Sequence, residues 1–205
     1  MNMKKVFVIM MTFVMLASFA MTSYAATFSD VAADAWYNSY VYDLAEKGVI
    51  NGYVQDDGTS LYKPDKKVTV AEFIKLIITA SAPNVKYNVV EADFDHWAAK
   101  YVKVAENYEA LEAGEYTLED MNREITRIEV VKILSRCDVL IRDSWQTSSD
   151  KVFTDTQELT GDQLIYLNHA VGIGVINGDP EGTFRPNDGL KRSESAKIIY
   201  TYLNN

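Results

Sequence analysis

Repetition constrains this chain more than any other feature. Tyr40, Tyr101 and Tyr166 each lie on an apolar stripe, and eight residues after each comes a matching position: Gly48, Glu109 and Gly174. A second periodic segment then opens on Val68-Thr-Val-Ala-Glu72, Ile125-Thr-Arg-Ile-Glu129 and Leu190-Lys-Arg-Ser-Glu194. A unit this short cannot bury its apolar face alone, so copies must stack and share one core. The expectation is a mainly all-α domain of three tandem helix–loop–helix units, spanning 26–84, 85–144 and 145–205.

The segment before the first unit reads as an export signal. Lys4 and Lys5 precede an uncharged apolar run from Val6 to Ala20, and Ser23-Tyr24-Ala25 is a small-x-small cleavage pattern. Residues 1–25 are therefore expected to be removed, leaving no membrane span, since a spanning helix needs roughly 20 apolar residues. Losing two lysines takes the formal charge from -9 to -11. So acidic a protein lacks the basic footprint that nucleic acid or an anionic membrane demands. Cys137 is the sole cysteine, which rules out an internal disulfide; it follows Val130, Ile133 and Leu134 at helical spacing and is expected to be a buried core thiol.

Within each unit the periodicities assign helices. Trp36, Tyr40, Val41 and Leu44 form one stripe, repeated as Trp97, Tyr101, Val102 and Ala105; unit three keeps Tyr166, Leu167 and Ala170 but has Asp162 at the tryptophan position. Sharing a stripe with aliphatics, these aromatics are expected in the core. Thr69 with Glu72 and Thr126 with Glu129 have capping-box spacing, whereas Lys191 breaks the pattern and predicts a weaker or shifted start. Pro83 and the polar run 143–150 are expected to link the units. The unit-three loop, Gly174-Val-Ile-Asn-Gly178 through Gly182-Thr-Phe-Arg-Pro186, is dense in turn formers. Unit one keeps Gly48-Val-Ile-Asn-Gly52 with a four-residue expansion, and unit two keeps the length but not the glycines.

These loops, together with Ile125-Thr-Arg-Ile-Glu129, resemble the S-layer homology domain, over about residues 27 to 203. The resemblance implies a pseudo-threefold helical bundle with grooves between adjacent repeats. It also implies non-covalent attachment of an exported protein to secondary cell-wall polysaccharide on peptidoglycan, often bearing ketal-linked pyruvate. No cofactor is implied. The residues it assigns to glycan binding are Arg127 and Arg192, Asp30 and Asp155 early in their repeats (with Asp93 as a looser match), Trp36 and Trp97 beside a sugar face, and Gly52 and Gly178 where glycan approaches backbone.

The chemistry of those residues agrees with that role. Arg127 and Arg192 each stand one residue inside a helix start, where unpaired amides and the dipole favour an anion, and a guanidinium grips a carboxylate bidentately. Val70 replaces the arginine in unit one, so the groove that depends on it is expected to be weak or silent, with Lys66 or Lys67 as the available substitute.

Three other readings compete. Asn177-x-Asp179-x-Glu181-Gly182 resembles the start of a calcium loop, but position twelve is Asp188 and two prolines intrude. An enzyme would need a catalytic constellation; His96 and His169 lie near no nucleophile motif, His169 reads as surface variation, and the repeats running to Asn205 are read as leaving no separate catalytic domain, although carboxylate pairs suited to a wall-glycan hydrolase remain open. A structural subunit or adaptor, self-assembling or docking other surface proteins, is the third.

Overall fold

The computed structural model describes residues 27–82, 84–85, 93–146 and 151–205. The signal-peptide segment, Pro83 and the end of the second link (147–150) lie outside the described residues. Six α-helices make up nearly all the regular secondary structure of the described residues: α1 (Asn38–Glu46), α2 (Val70–Ser81), α3 (Ala99–Asn107), α4 (Arg127–Arg142), α5 (Gly161–Gly172) and α6 (Arg192–Asn204). The mainly α-helical architecture agrees with the periodicities. A two-stranded antiparallel hairpin, β1 (Tyr53–Val54) and β2 (Ser60–Leu61), occupies the expanded loop of unit one.

The first helix of each unit packs on the second helix of the unit before it: α3 on α2, α5 on α4 and, closing the circle, α1 on α6. Helix α2 also touches α4 and α6. The second helices carry the heart of the core, with Phe73, Ile74 and Ile77 on α2, Val130, Ile133 and Leu134 on α4, and Ala196 and Ile199 on α6 all excluded from solvent. At about 1.5–3 kcal/mol for each large aliphatic buried, this shared interior is what no single unit could supply.

Just before these helices the three chains meet. The Val68 amide donates to the Leu190 carbonyl (2.8 Å), Leu190 to Ile125 (3.3 Å) and Ile125 to Val68 (3.0 Å), a closed circuit of three hydrogen bonds. All three side chains are fully buried. The middle segment therefore occupies the same structural position as the outer two, despite its divergent loop.

Helix boundaries follow local chemistry. Thr69–Glu72 and Thr126–Glu129 form the expected capping boxes. A third box, Thr160–Gln163, opens α5 and brings Asp162 into the helix. The start of α6 is not shifted, contrary to the lysine reading. Glu194 still accepts the Lys191 amide (2.8 Å), and the next two amides are taken by the Lys66 and Pro64 carbonyls.

Each first helix ends alike: two successive amides fold back onto one carbonyl, Leu44, Ala105 or Ala170, across a left-handed residue. Gly48 and Gly174 provide that residue at φ of 70° and 73°, but unit two forces Glu109 to φ 60°. A side chain there costs about 1 kcal/mol. Glu109→Gly, at this exposed position, is expected to raise unfolding free energy by about 0.5–1 kcal/mol, read as a higher urea midpoint with unchanged slope.

Cys137 is buried as expected, and burial pushes its thiol up to about 12. His169 is not surface variation. It is wholly buried on α5, its Nε2 3.1 Å from Asp138 Oδ2, while Nδ1 accepts the Gln146 amide (2.9 Å). That arrangement suits a neutral ring donating from Nε2. Burial lowers its pKa against the pull of Asp138, and Arg142 adds to the lowering. Because the unfolded imidazole, near 6.5, then takes its proton first, this contribution to stability is complete above about pH 6.5 and is lost as pH falls through the folded-state value. Urea midpoints should fall between pH 7 and 5, and His169→Gln, which cannot titrate, should flatten that slope.

Candidate functional site

The interfaces between units create three related grooves. In each, a loop of one unit lies across the start of the second helix of the preceding unit. Arg127 and Ile128 amides donate to Asp188 and Pro186 carbonyls (3.0 and 2.9 Å), Arg192 and Ser193 to Lys66 and Pro64 (2.9 and 3.0 Å), and Val70 and Ala71 to Arg123 and Met121 (3.0 and 3.1 Å). The next amide of α2 and α4 is held by the capping threonine. This corrects the expectation of unpaired amides: the neighbouring loop has consumed them, so attraction for an anion must come from side chains.

The groove under the unit-three loop is open, with its arginine in the lining. It is a cavity of about 610 Å³ that brings together Trp36 of unit one, Arg127 of unit two, and Gly178, Asp179, Glu194 and Lys197 of unit three. Arg127 lies over the Phe184 ring (5.4 Å) and donates from Nε to the Phe184 carbonyl (2.7 Å), which fixes the plane of its guanidinium. Its two terminal nitrogens make no hydrogen bond among the described residues; Glu194 Oε1 stands 3.8 Å from one of them. Burial lowers the Arg127 pKa, with Glu194 opposing and Arg185 adding to the fall, yet a guanidinium stays cationic throughout the accessible pH range. The result is a largely buried, preoriented cation, its side chain 11% exposed, whose fork faces the cavity with Glu194 at ion-pair distance. Lys197 adds an exposed ammonium on the same wall.

The groove under the unit-one loop has the same skeleton and a different filling. Arg192 Nε donates to the Tyr62 carbonyl at 2.7 Å, as Arg127 does to Phe184, but Nη2 also reaches the Asn51 carbonyl (3.2 Å). The guanidinium lies between the Tyr62 and Tyr53 rings, at 4.6 and 5.0 Å, and the residue is only 7% exposed. The groove under the unit-two loop has Val70, fully buried, where the others have arginine. Its cavity of about 480 Å³ is crossed by ion pairs: Arg123 with Glu129 (2.6 Å), Lys132 with Glu115 (2.7 Å), and Arg136 with Glu112 and Glu115 (both 2.7 Å). Lys66 and Lys67 do not replace the missing arginine there. Lys66 pairs with Glu72 and Tyr53 on the unit-one side, and Lys67 with the Gly189 carbonyl.

The remaining predicted residues divide by position. Asp30 accepts the Tyr62 and Lys63 amides (both 2.7 Å), and Asp155 those of Phe184 and Arg185 (2.8 and 2.7 Å). Both carboxylates thus pin their loops where Lys63 and Arg185 turn at positive φ. Asp93 makes no equivalent bond and pairs with Lys103 instead. A Cβ on Gly52 would collide with Phe28 and Ser60, and one on Gly178 with Phe153, so these glycines admit the packing of aromatic rings.

Trp36 and Trp97 are 57% and 54% exposed, which overturns their core assignment. Each precedes the first turn of its helix, so helical spacing does not govern it. Of the eight predicted residues, Trp36, Arg127 and Gly178 line the same cavity. Sequence reasoning missed Tyr53, Glu194 and Lys197; alignment of Tyr53 with Asp179 was the available signal for the first. The calcium-like loop is a turn, with both Asp179 carboxylate oxygens holding Thr183, and the described residues contain no cluster of His, Cys, Asp or Glu able to hold a metal.

Two stretches of the chain have a counterpart among known proteins. Residues 27–74 and 153–196 match the S-layer homology domain. S-layer homology domains hold proteins to the bacterial cell wall. Both matched stretches have the glycine-rich loop and its pinning aspartate. The unmatched middle has instead a 3₁₀ turn at Leu118–Asp120, closed by Thr117 and Asp120. The chain is also similar to an amylopullulanase of Thermoanaerobacterium thermosulfurigenes, 26% identical over 91% of this chain and 10% of the relative. Exoglucanase XynX of Acetivibrio thermocellus is 26% identical over 87% of this chain and 16% of its own length, and an endoglucanase of Bacillus sp. (strain KSM-635) 27% identical over 88% and 19%. The chain therefore spans a fifth or less of the length of these relatives. No described helix is long and apolar enough to cross a membrane.

Proposed function

We propose that this protein is a non-catalytic wall anchor, exported behind residues 1–25 and built of three S-layer homology repeats. In this reading it binds a secondary cell-wall polysaccharide through a carboxylate such as ketal-linked pyruvate. The observation that carries this is the guanidinium fork of Arg127, set in a cavity beside the exposed Trp36. A planar fork matches a carboxylate bidentately, and an indole face suits the apolar side of a sugar ring. Asp155 and Gly178 shape the loop that forms the opposite wall. Asp30 and Gly52 do the same beside Arg192, so they act on binding through loop shape.

Co-sedimentation with purified bacterial walls tests this. The protein should pellet with intact walls and stay in solution once secondary polymer has been extracted. Unchanged pelleting on stripped peptidoglycan would overturn the assignment of the polymer. Pelleting with extracted polymer that has lost its pyruvate would overturn the carboxylate.

A further inference from the structure

We propose that Tyr53 decides which groove receives the wall anion: it is an internal plug that holds the Arg192 groove shut. The backbone establishes that the two arginine grooves are equivalent. Arg127 and Arg192 make the same 2.7 Å bond from Nε to the carbonyl of a fully buried aromatic residue, Phe184 or Tyr62. Those carbonyls are followed by residues of matching positive φ, Arg185 at 58° and Lys63 at 59°. Both loops run Gly-Val-Ile-Asn-Gly, and at the next position unit three has Asp179 while unit one has Tyr53.

That difference sets an aromatic ring against the arginine. The Tyr53 ring lies 5.0 Å from the Arg192 guanidinium, at the loop position whose unit-three equivalent, Asp179, lines the Arg127 cavity. Its hydroxyl donates to Glu72 Oε1 (2.9 Å) and accepts from Lys66 Nζ (3.0 Å), and Lys63 Nζ stands 4.6 Å from the ring. A ring face over a guanidinium supplies part of the stabilisation that an anionic ligand would bring. The hydroxyl bonds then anchor the ring to the same helix start whose counterpart, Glu194, borders the open groove. The β1–β2 hairpin, found only in this loop among the described residues, begins at Tyr53 and holds the ring in register.

This inference rests on the wall-anion reading for its function, but the occlusion itself has a readout that needs no glycan. Phenylglyoxal modifies accessible guanidinium groups, and peptide mass spectrometry separates the arginines. In the wild type Arg127 should be labelled and Arg192 protected; in Tyr53→Ala, and in Tyr53→Asp, Arg192 should label as readily as Arg127. Far-UV circular dichroism identifies a variant that has unfolded, and the second substitution introduces the residue of the open groove.

Calorimetry with a methyl hexoside carrying a pyruvate ketal supplies the functional arm. Wild type should bind at one site and Tyr53→Ala should gain a second. Tyr53→Ala in an Arg127→Ala background should recover at least about tenfold in affinity over Arg127→Ala alone, equivalent to about 1.4 kcal/mol. Protection of Arg192 that persists in both folded variants would overturn the plug. Exposure of Arg192 without gain of a second site, where wild type binds, would overturn its role in choosing the groove. Failure of wild type to bind the ketal would count against the wall-anion reading, and with it the functional role of Tyr53, while the labelling pattern still decides the occlusion.

Discussion

Arg127→Ala is expected to abolish most wall binding while leaving the protein folded. The side chain makes one hydrogen bond that the fold uses, from Nε to the Phe184 carbonyl, so its loss costs about 1 kcal/mol of stability. The terminal nitrogens make no hydrogen bond among the described residues, only a 3.8 Å ion pair with Glu194, and a charge-assisted bond from them to a ligand carboxylate is worth about 1.5–3 kcal/mol, or roughly 10- to 100-fold in Kd. Binding isotherms on purified wall, with circular dichroism as the control, measure both quantities. Arg127→Lys should recover little of the affinity, because an ammonium cannot reproduce a planar two-point contact. Wild-type affinity in Arg127→Ala would remove this residue from the site.

The matching substitution in unit three should behave in the opposite way. Arg192→Ala is expected to destabilise the fold by about 2–4 kcal/mol, because it leaves the Tyr62 and Asn51 carbonyls without their donor and empties the space between two rings. It also removes the side-chain link between α6 and the loop of unit one, one of the contacts that bring the end of the described chain back to its beginning. At temperatures where the variant remains folded, wall binding through Arg127 should survive. The pair is informative because the two arginines occupy the same place in the repeat: thermal unfolding should single out Arg192 and wall affinity Arg127. Equal losses of affinity in the two variants would mean that both grooves bind.

Local signals in the sequence were read reliably. The capping boxes at Thr69 and Thr126, the apolar faces of α2 and α4 and the burial of Cys137 all depend on residues a few positions apart. What escaped depends on partners far along the chain. The helix-start amides looked free because the carbonyls that satisfy them belong to another unit. The tryptophans looked buried because a helical period was extended one turn too far. His169 looked like surface variation, although it is an internal group held by Asp138 and the Gln146 amide. Tyr53 and Asp179 differ in one aligned position, and only the fold shows that this position faces an arginine from a different unit.

The closed circuit of hydrogen bonds among Val68, Ile125 and Leu190 has a topological consequence. A ring has no first member, so the packing does not record which unit the ribosome made first. A circularly permuted chain, opened between units two and three and rejoined between units three and one, should rebuild the same interfaces from a different start. Removing any one unit, by contrast, takes a wall from the open groove, since Trp36, Arg127 and the loop around Gly178 come from three different units. On the wall-anchor reading, the smallest working piece is the entire ring.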